Sequence, residues 1–199
     1  MLSYTLKSYA QKLDLLCQFI GGTPIFIGHS MGGLVIQKYM TDHQHQVGAL
    51  CLLAAAAPFG TKNTMKMMFA NPFMLLKYTM LTLNPNIAKK YPPSYGLLSA
   101  RSDKATRKKF QQFVMHESIR ALFNSVRPKI DTDKVAKTPL LVLGTANDNL
   151  ILPKDVVSTG EIYEKPAIIY PEMGHFMMLE PDWELVAKDI DLWLSKQSA

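Results

Sequence analysis

The sequence predicts an α/β protein, a mostly parallel sheet flanked by helices, with a helical cap inserted between two of its strands. Three observations carry that expectation. Short, wholly apolar runs at 24–27, 49–55, 140–143 and 167–170 alternate with stretches of helical periodicity. Strands apolar at every position are what a parallel sheet covered on both faces requires. The interval 61–137 breaks the rhythm with helical patterns alone, and a helical excursion of that length between two strands reads as an insertion over the strand ends. Finally, Gly28-His29-Ser30-Met31-Gly32-Gly33 sits between an apolar run and a helical one, the strand–turn–helix setting in which a Gly-x-Ser-x-Gly turn exposes its serine.

Taken in order, Leu2, Leu6, Tyr9, Leu13, Leu16 and Ile20 draw one apolar stripe along a first helix, which Gly21-Gly22 should end. The run at 24–27 is the first strand. A helix follows from Ser30 to about Met40, and polar residues 41–46 form its exit. His43 and His45 there have no third ligand nearby and read as a solvated loop. Pro58-Phe59-Gly60 closes the second strand, Pro139 and Gly144 bracket the third, and a helix covers 155–159. Pro181 opens the last helix, with Trp183, Val186, Ile190, Trp193 and Leu194 facing inward.

Within 61–137, Phe110, Phe113 and Val114, and then Ile119, Leu122, Phe123 and Val126, recur at helical spacing, separated from the start of the interval by a proline-rich loop at 84–95. Six of the twelve methionines lie there: Met65, Met67, Met68, Met74, Met80 and Met115. Methionine adapts to irregular apolar ligands and equally well packs a small core. The reading is therefore a core of residues 1–60 and 138–199 with a cap at 61–137.

Composition narrows the function. The chain has 199 residues, 48% hydrophobic and 19% charged, which suits one sizeable core and excludes a disordered segment. Its longest apolar stretch, 49–59, is too short to cross a bilayer, and Lys7, Gln11, Lys12 and Asp14 interrupt what a secretory signal would need. Cys17 and Cys51 lie in apolar settings and read as core residues rather than a disulfide, which points to a reducing, cytoplasmic compartment. The net charge of +6 comes from scattered lysines and two clusters, Lys89-Lys90 and Arg107-Lys108-Lys109. No aromatic interleaving accompanies them, so no nucleic-acid partner is expected. Their remaining consequence is a weak attraction to anionic lipid surfaces.

The turn must hold Ser30 in a strained conformation, with Gly28 and Gly32 leaving room for backbone and helix to approach. A serine hydroxyl is a poor nucleophile until a base takes its proton, and the base is usually a histidine oriented by a carboxylate. His29 adjoins Ser30 but projects elsewhere. His175, just after the fourth strand, emerges at the same carboxyl end of the sheet. The carboxylate should follow the third strand, where Gly144-Thr145-Ala146-Asn147-Asp148 supplies Asp148. Asp155 is the second candidate, at a helix start where an aspartate commonly only caps.

Ser30, Asp148 and His175 fall in the chain order of the α/β-hydrolase fold. From residue 2 onward the sequence resembles the lipase, esterase and lysophospholipase-like branch of that superfamily. The resemblance implies Ser30 as nucleophile, His175 as general acid and base, Asp148 as its orienter and the Met31 N–H as one oxyanion donor, with no cofactor and no metal. It also implies strands and a second oxyanion donor ahead of the elbow, whereas only 29 residues precede Ser30. The sequence therefore reads as N-terminally incomplete for the family. Ile25 to Ile27 is expected as an exposed apolar edge that self-associates or pairs with a complementing chain. The expected activity is hydrolysis of a small-molecule or lipid-like carboxylic ester with an apolar acyl or alcohol part. An acyltransferase using the same triad, and a catalytically impaired remnant acting as a binding module, are the alternatives.

Overall fold

Four strands, β1 (Ile25–His29), β2 (Ala49–Leu53), β3 (Leu140–Thr145) and β4 (Ala167–Tyr170), form one sheet in that order, every neighbouring pair parallel. This is a computed structural model, describing residues 4–43, 46–72, 76, 79, 97–113 and 118–197. The register sets Ile25 beside Ala49, Leu50 beside Leu140 and Val142 beside Ala167. All four strands therefore end on one side, where ligands of open parallel sheets collect.

The two central strands are buried at every position, and alternation divides their side chains between two cores. Leu50, Leu52, Leu140 and Val142 pack under the helices α1 (Leu6–Ile20), α2 (Met31–Asp42), α6 (Thr132–Ala136) and α7 (Pro153–Ile162), with Leu34, Ile36, Val135 and Val156. Cys51, Leu53, Leu141 and Leu143 face the other way, onto Val186, Ile190 and Trp193 of α8 (Trp183–Ser195). Burying each such leucine or valine contributes roughly 1.5–3 kcal/mol, which accounts for strands composed of little else.

The outer strands depart from the expected double cover. Ile25 and Ile27 pair with Ala49 and Cys51 on the α8 face, yet they are 49% and 54% exposed. Phe26, on the opposite face, packs edge-on against Tyr39. β1 is thus an edge covered on one face among the described residues. The apolar run reflects position beside the core rather than enclosure by it.

α1 starts at a capping box in which Thr5 Oγ1 accepts from the Ser8 N–H and Ser8 Oγ from the Thr5 N–H. It ends at Gly21, with φ +72°, as expected. Its buried face is Leu6, Ala10 and Cys17, with Leu13 partly buried, packed on Tyr39 and Phe26. Leu16 and Ile20, expected inside, are exposed, because a close helix contact selects the small Ala10 and Cys17. Leu2 lies outside the described residues. Trp183, also expected inside, is 47% exposed; the inward stripe of α8 starts one turn later, at Val186.

Between β2 and β3 run α3 (Lys62–Ala70), α4 (Lys104–Phe113) and α5 (Ile119–Ser125), followed by α6. Phe123 points to solvent. The proline-rich loop at 84–95, Val114, and Met74, Met80 and Met115 lie outside the described residues. Parts of this interval join the main body. Val135 enters the core under α2, while Leu97, Leu98 and Phe110 cluster with Leu150, Phe176 and Leu179.

Candidate active site

Ser30 follows β1 at its carboxyl end with φ +54° and ψ −126°, a conformation that costs a non-glycine residue energy and persists only when its surroundings over-determine it. Here they do. The Ser30 N–H donates to Leu53 O (3.1 Å), and its carbonyl accepts from the Ala56 N–H (3.1 Å) and the Gly33 N–H (3.2 Å). A Cβ at position 28 would lie 2.4 Å from Ile36 Cδ1 and 2.7 Å from Gly33 Cα, so Gly28 has the expected steric role. Gly32 does not, since nothing approaches its missing side chain. The second obligatory glycine is Gly33, where a Cβ would meet that of Ala55 at 2.4 Å.

The turn places Ser30 at the N-cap of α2, its hydroxyl not engaged in capping. Met31 is the first residue of that helix, so its N–H is one of those with no partner inside the helix and lies at the positive end of the dipole. Behind the elbow, buried Gln37 bridges α2, the β2 exit and α7. Its Nε2 donates to Gly33 O and Ala56 O, and its Oε1 accepts from Tyr163 OH at 2.7 Å.

Asp148 and His175 meet. His175 Nδ1 lies 2.7 Å from Asp148 Oδ2, both side chains essentially without solvent contact. The other carboxylate oxygen accepts from the N–H groups of Leu150 (2.7 Å) and Ile151 (2.9 Å), so the carboxylate is anchored as an acceptor. That fixes the proton on Nδ1 of the neutral imidazole and leaves Nε2 with a free lone pair, the tautomer a general base needs. Asp155, the second candidate, instead accepts from Asn63 Nδ2 at 2.6 Å and ties α3 to α7. Among the described residues, no hydrogen bond joins Ser30 Oγ to His175 Nε2; such bonds are often long before substrate binds.

His29 has a part the sequence did not indicate. Its Nε2 donates to the carbonyl of His175 (2.9 Å), and its ring lies 4.5 Å from that of His175 and 5.0 Å from Phe176. Burial, reinforced by the adjacent His175, pushes its pKa down to about 3, so it stays a neutral donor. Glu180 was also missed. It is 1% exposed and accepts from the N–H and hydroxyl of Ser99 (both 2.6 Å), the hydroxyl of Ser102 (3.0 Å) and the N–H of Gly174 (3.0 Å). The one sequence signal was an acid directly behind the apolar run 176–179.

Elsewhere, His43 is not the solvated loop residue expected. It stacks on Tyr39 and sets Nδ1 3.2 Å from Asp14 Oδ1. His45 lies outside the described residues. Among the described residues no group of three or more histidine, cysteine, aspartate or glutamate side chains converges as a metal centre requires. A hollow of about 350 Å³ lined by Lys7, Gln11, Lys38, Asp42 and His43 contains none of Ser30, Asp148 and His175.

The family described as serine aminopeptidase, S33, matches residues 5–182. No curated protein sequence matches the chain. Among solved structures, a thermophilic esterase from Thermogutta terrifontis superposes with a TM-score of 0.74 at 21% identity, over 98% of this chain and 74% of that one. A monoacylglycerol lipase from Paleococcus ferrophilus gives 0.65 at 16% identity, over 98% and 76%. A bromoperoxidase from Bacillus anthracis gives 0.76 at 12% identity, over 96% and 75%. At these identities the likeness establishes the fold alone, and a fold does not by itself set the reaction.

Proposed function

The chain belongs to the serine aminopeptidase, S33 family, with the α/β-hydrolase fold, and we propose that within it the chain hydrolyses carboxylic esters through Ser30, His175 and Asp148. The observation that carries this reading is the buried 2.7 Å contact between His175 Nδ1 and Asp148 Oδ2, at the sheet end where the strained Ser30 turn stands. Ser30 Oγ attacks the ester carbonyl carbon as its proton passes to His175 Nε2. The Met31 N–H donates to the oxyanion that forms. The imidazolium returns the proton to the leaving alcohol, and the C–O ester bond breaks. His175 then deprotonates a water, whose oxygen attacks the acyl-Ser30 carbonyl, and the acid departs as Ser30 recovers its proton.

An ester is favoured over a peptide N-terminus by the carboxylates at hand. Asp148 and Glu180 are both saturated with hydrogen bonds, so neither is free to receive an α-ammonium group. Apolar substrate parts suit an interval 61–137 acting as a cap, whose α3 carries Met65 and Met67 half-buried. The buried free thiols of Cys17 and Cys51 support a reducing, cytoplasmic setting.

A fluorophosphonate probe tests the central claim. Labelling of the native protein that vanishes in Ser30→Ala supports it; labelling that persists in that variant overturns it. The absence, among the described residues, of a Ser30–His175 hydrogen bond favours one second reading, a catalytically silent chain retained as a binding module. A folded, monodisperse protein inert to both probe and activated ester supports that reading. Transfer of the acyl group to an added alcohol, in place of free acid, identifies an acyltransferase.

A further inference from the structure

The base loop at 173–176 has no helix or strand to hold it, yet five of its eight backbone N–H and C=O groups are held by hydrogen bonds to residues outside the loop and the turn at 177–179. Met173 O accepts from the Asn147 N–H (3.2 Å). Gly174 O accepts from Thr145 Oγ1 (3.1 Å). His175 O accepts from the His29 ring, and the Phe176 N–H donates to Leu97 O (3.0 Å). The Gly174 N–H donates to the buried carboxylate of Glu180. Asn147, Thr145 and His29 belong to the sheet ends and Leu97 to the inserted segment itself, while Glu180 joins the loop to that segment at two further residues, Ser99 and Ser102. The fit is close, since a Cβ on Gly174 would lie 2.9 Å from Leu98 C.

Burying a carboxylate is costly, and an apolar residue in its place is often neutral or stabilising. Here the cost is offset by four donors and by the positive charge of Arg101, which interacts electrostatically with Glu180; Arg107 in turn holds Ser99 O and Ser102 O. Such an arrangement contributes less to stability than to one fixed geometry. That geometry includes the Met173–Gly174 peptide, one residue ahead of His175.

Resting on the reading of His175 as base, we propose that Glu180 is a positioning residue for it. Its carboxylate locks the Gly174 peptide and couples the orientation of the imidazole to the segment 97–102. The insertion is then part of the site's framework and not only a cover. Glu180→Gln replaces one acceptor oxygen with an amide that faces the N–H and hydroxyl donors, so the loop must shift. A displacement of the order of 1 Å in a base costs about a hundredfold in rate.

The test is proton NMR of the whole protein, following the far-downfield resonance of the His175 Nδ1–H held by Asp148, together with the rate of fluorophosphonate labelling. Wild type shows the resonance; Asp148→Asn abolishes it and so assigns it. In folded Glu180→Gln the resonance is lost or shifted and labelling slows by about tenfold to a hundredfold. Ser102→Ala, a milder change should the first variant not fold, moves both readouts in the same direction. Thr159→Val, which removes a buried hydrogen bond to the Asp155 carbonyl within α7, moves neither. An unchanged resonance in folded Glu180→Gln or Ser102→Ala overturns the proposal and leaves Glu180 a purely structural acceptor. Because the resonance requires no turnover, its presence in a protein that resists the probe separates failure of the esterase reading from failure of this one.

Discussion

His29 Nε2 donates to the carbonyl oxygen of His175, so the residue beside the proposed nucleophile holds the backbone of the proposed base. The bond needs His29 neutral, and the folded chain keeps it so, with its pKa pushed from the ordinary 6.5 down to about 3. Between those values the unfolded chain takes up a proton that the folded one refuses. Stability from this group is therefore complete above about pH 6.5 and is lost progressively as pH falls towards 3, by up to ~1.4 kcal/mol per pH unit. Urea midpoints across pH 4.5–7.5 should fall on acidification in wild type and fall less steeply in His29→Gln. Parallel slopes would show that His29 titrates normally.

Asp148 and Asp155 give opposite outcomes. Asp148→Asn releases the tautomer that leaves Nε2 of His175 unprotonated, and hydrolysis of an activated ester should fall by roughly a thousandfold or more. Asp155→Asn disturbs only the contact with Asn63. It should cost about 1 kcal/mol of stability and leave the specific rate within about twofold.

The glycines of the elbow divide in the same way. Gly33→Ala forces a methyl group onto Ala55 and should destabilise by about 1–3 kcal/mol. Gly32→Ala meets open space in the first turn of α2 and should be neutral or stabilising by up to ~1 kcal/mol. Urea unfolding measures both, and equal losses would contradict the packing described.

Among the described residues β1 presents an open strand edge with Ile25 and Ile27 half-exposed, the kind of edge through which chains associate. Light scattering of the native protein should rise with concentration, and Ile27→Lys should suppress the rise. Scattering unaffected by that substitution places the association elsewhere.

Local features were legible in the sequence. The central strands β2 and β3 are buried throughout, so apolar runs located them. The elbow is a contiguous signal, and the order of strand ends brought Asp148 and His175 into one neighbourhood. What escaped depends on which surface an element meets. α1 is apolar on two stripes, and only the proximity of Tyr39 selects Ala10 and Cys17 over Leu16 and Ile20. Gly32 and Gly33 are adjacent, and only the position of Ala55 decides between them. Glu180 lies 81 residues from its partner Ser99, a separation that no periodicity bridges.

The site is also built from contacts between remote parts of the chain. His29 and His175 lie 146 residues apart, whereas α1 and α2 complete their mutual packing within the first quarter of the sequence. Pairings of that range form late and slowly, because the loop between them must be closed before the contact contributes anything. A nascent chain that has emerged as far as Asp148 already carries the strained turn but has neither the base nor the glutamate behind it. Competence for the proposed chemistry, then, does not build up gradually during synthesis; it arrives when the stretch from β4 to α8 docks.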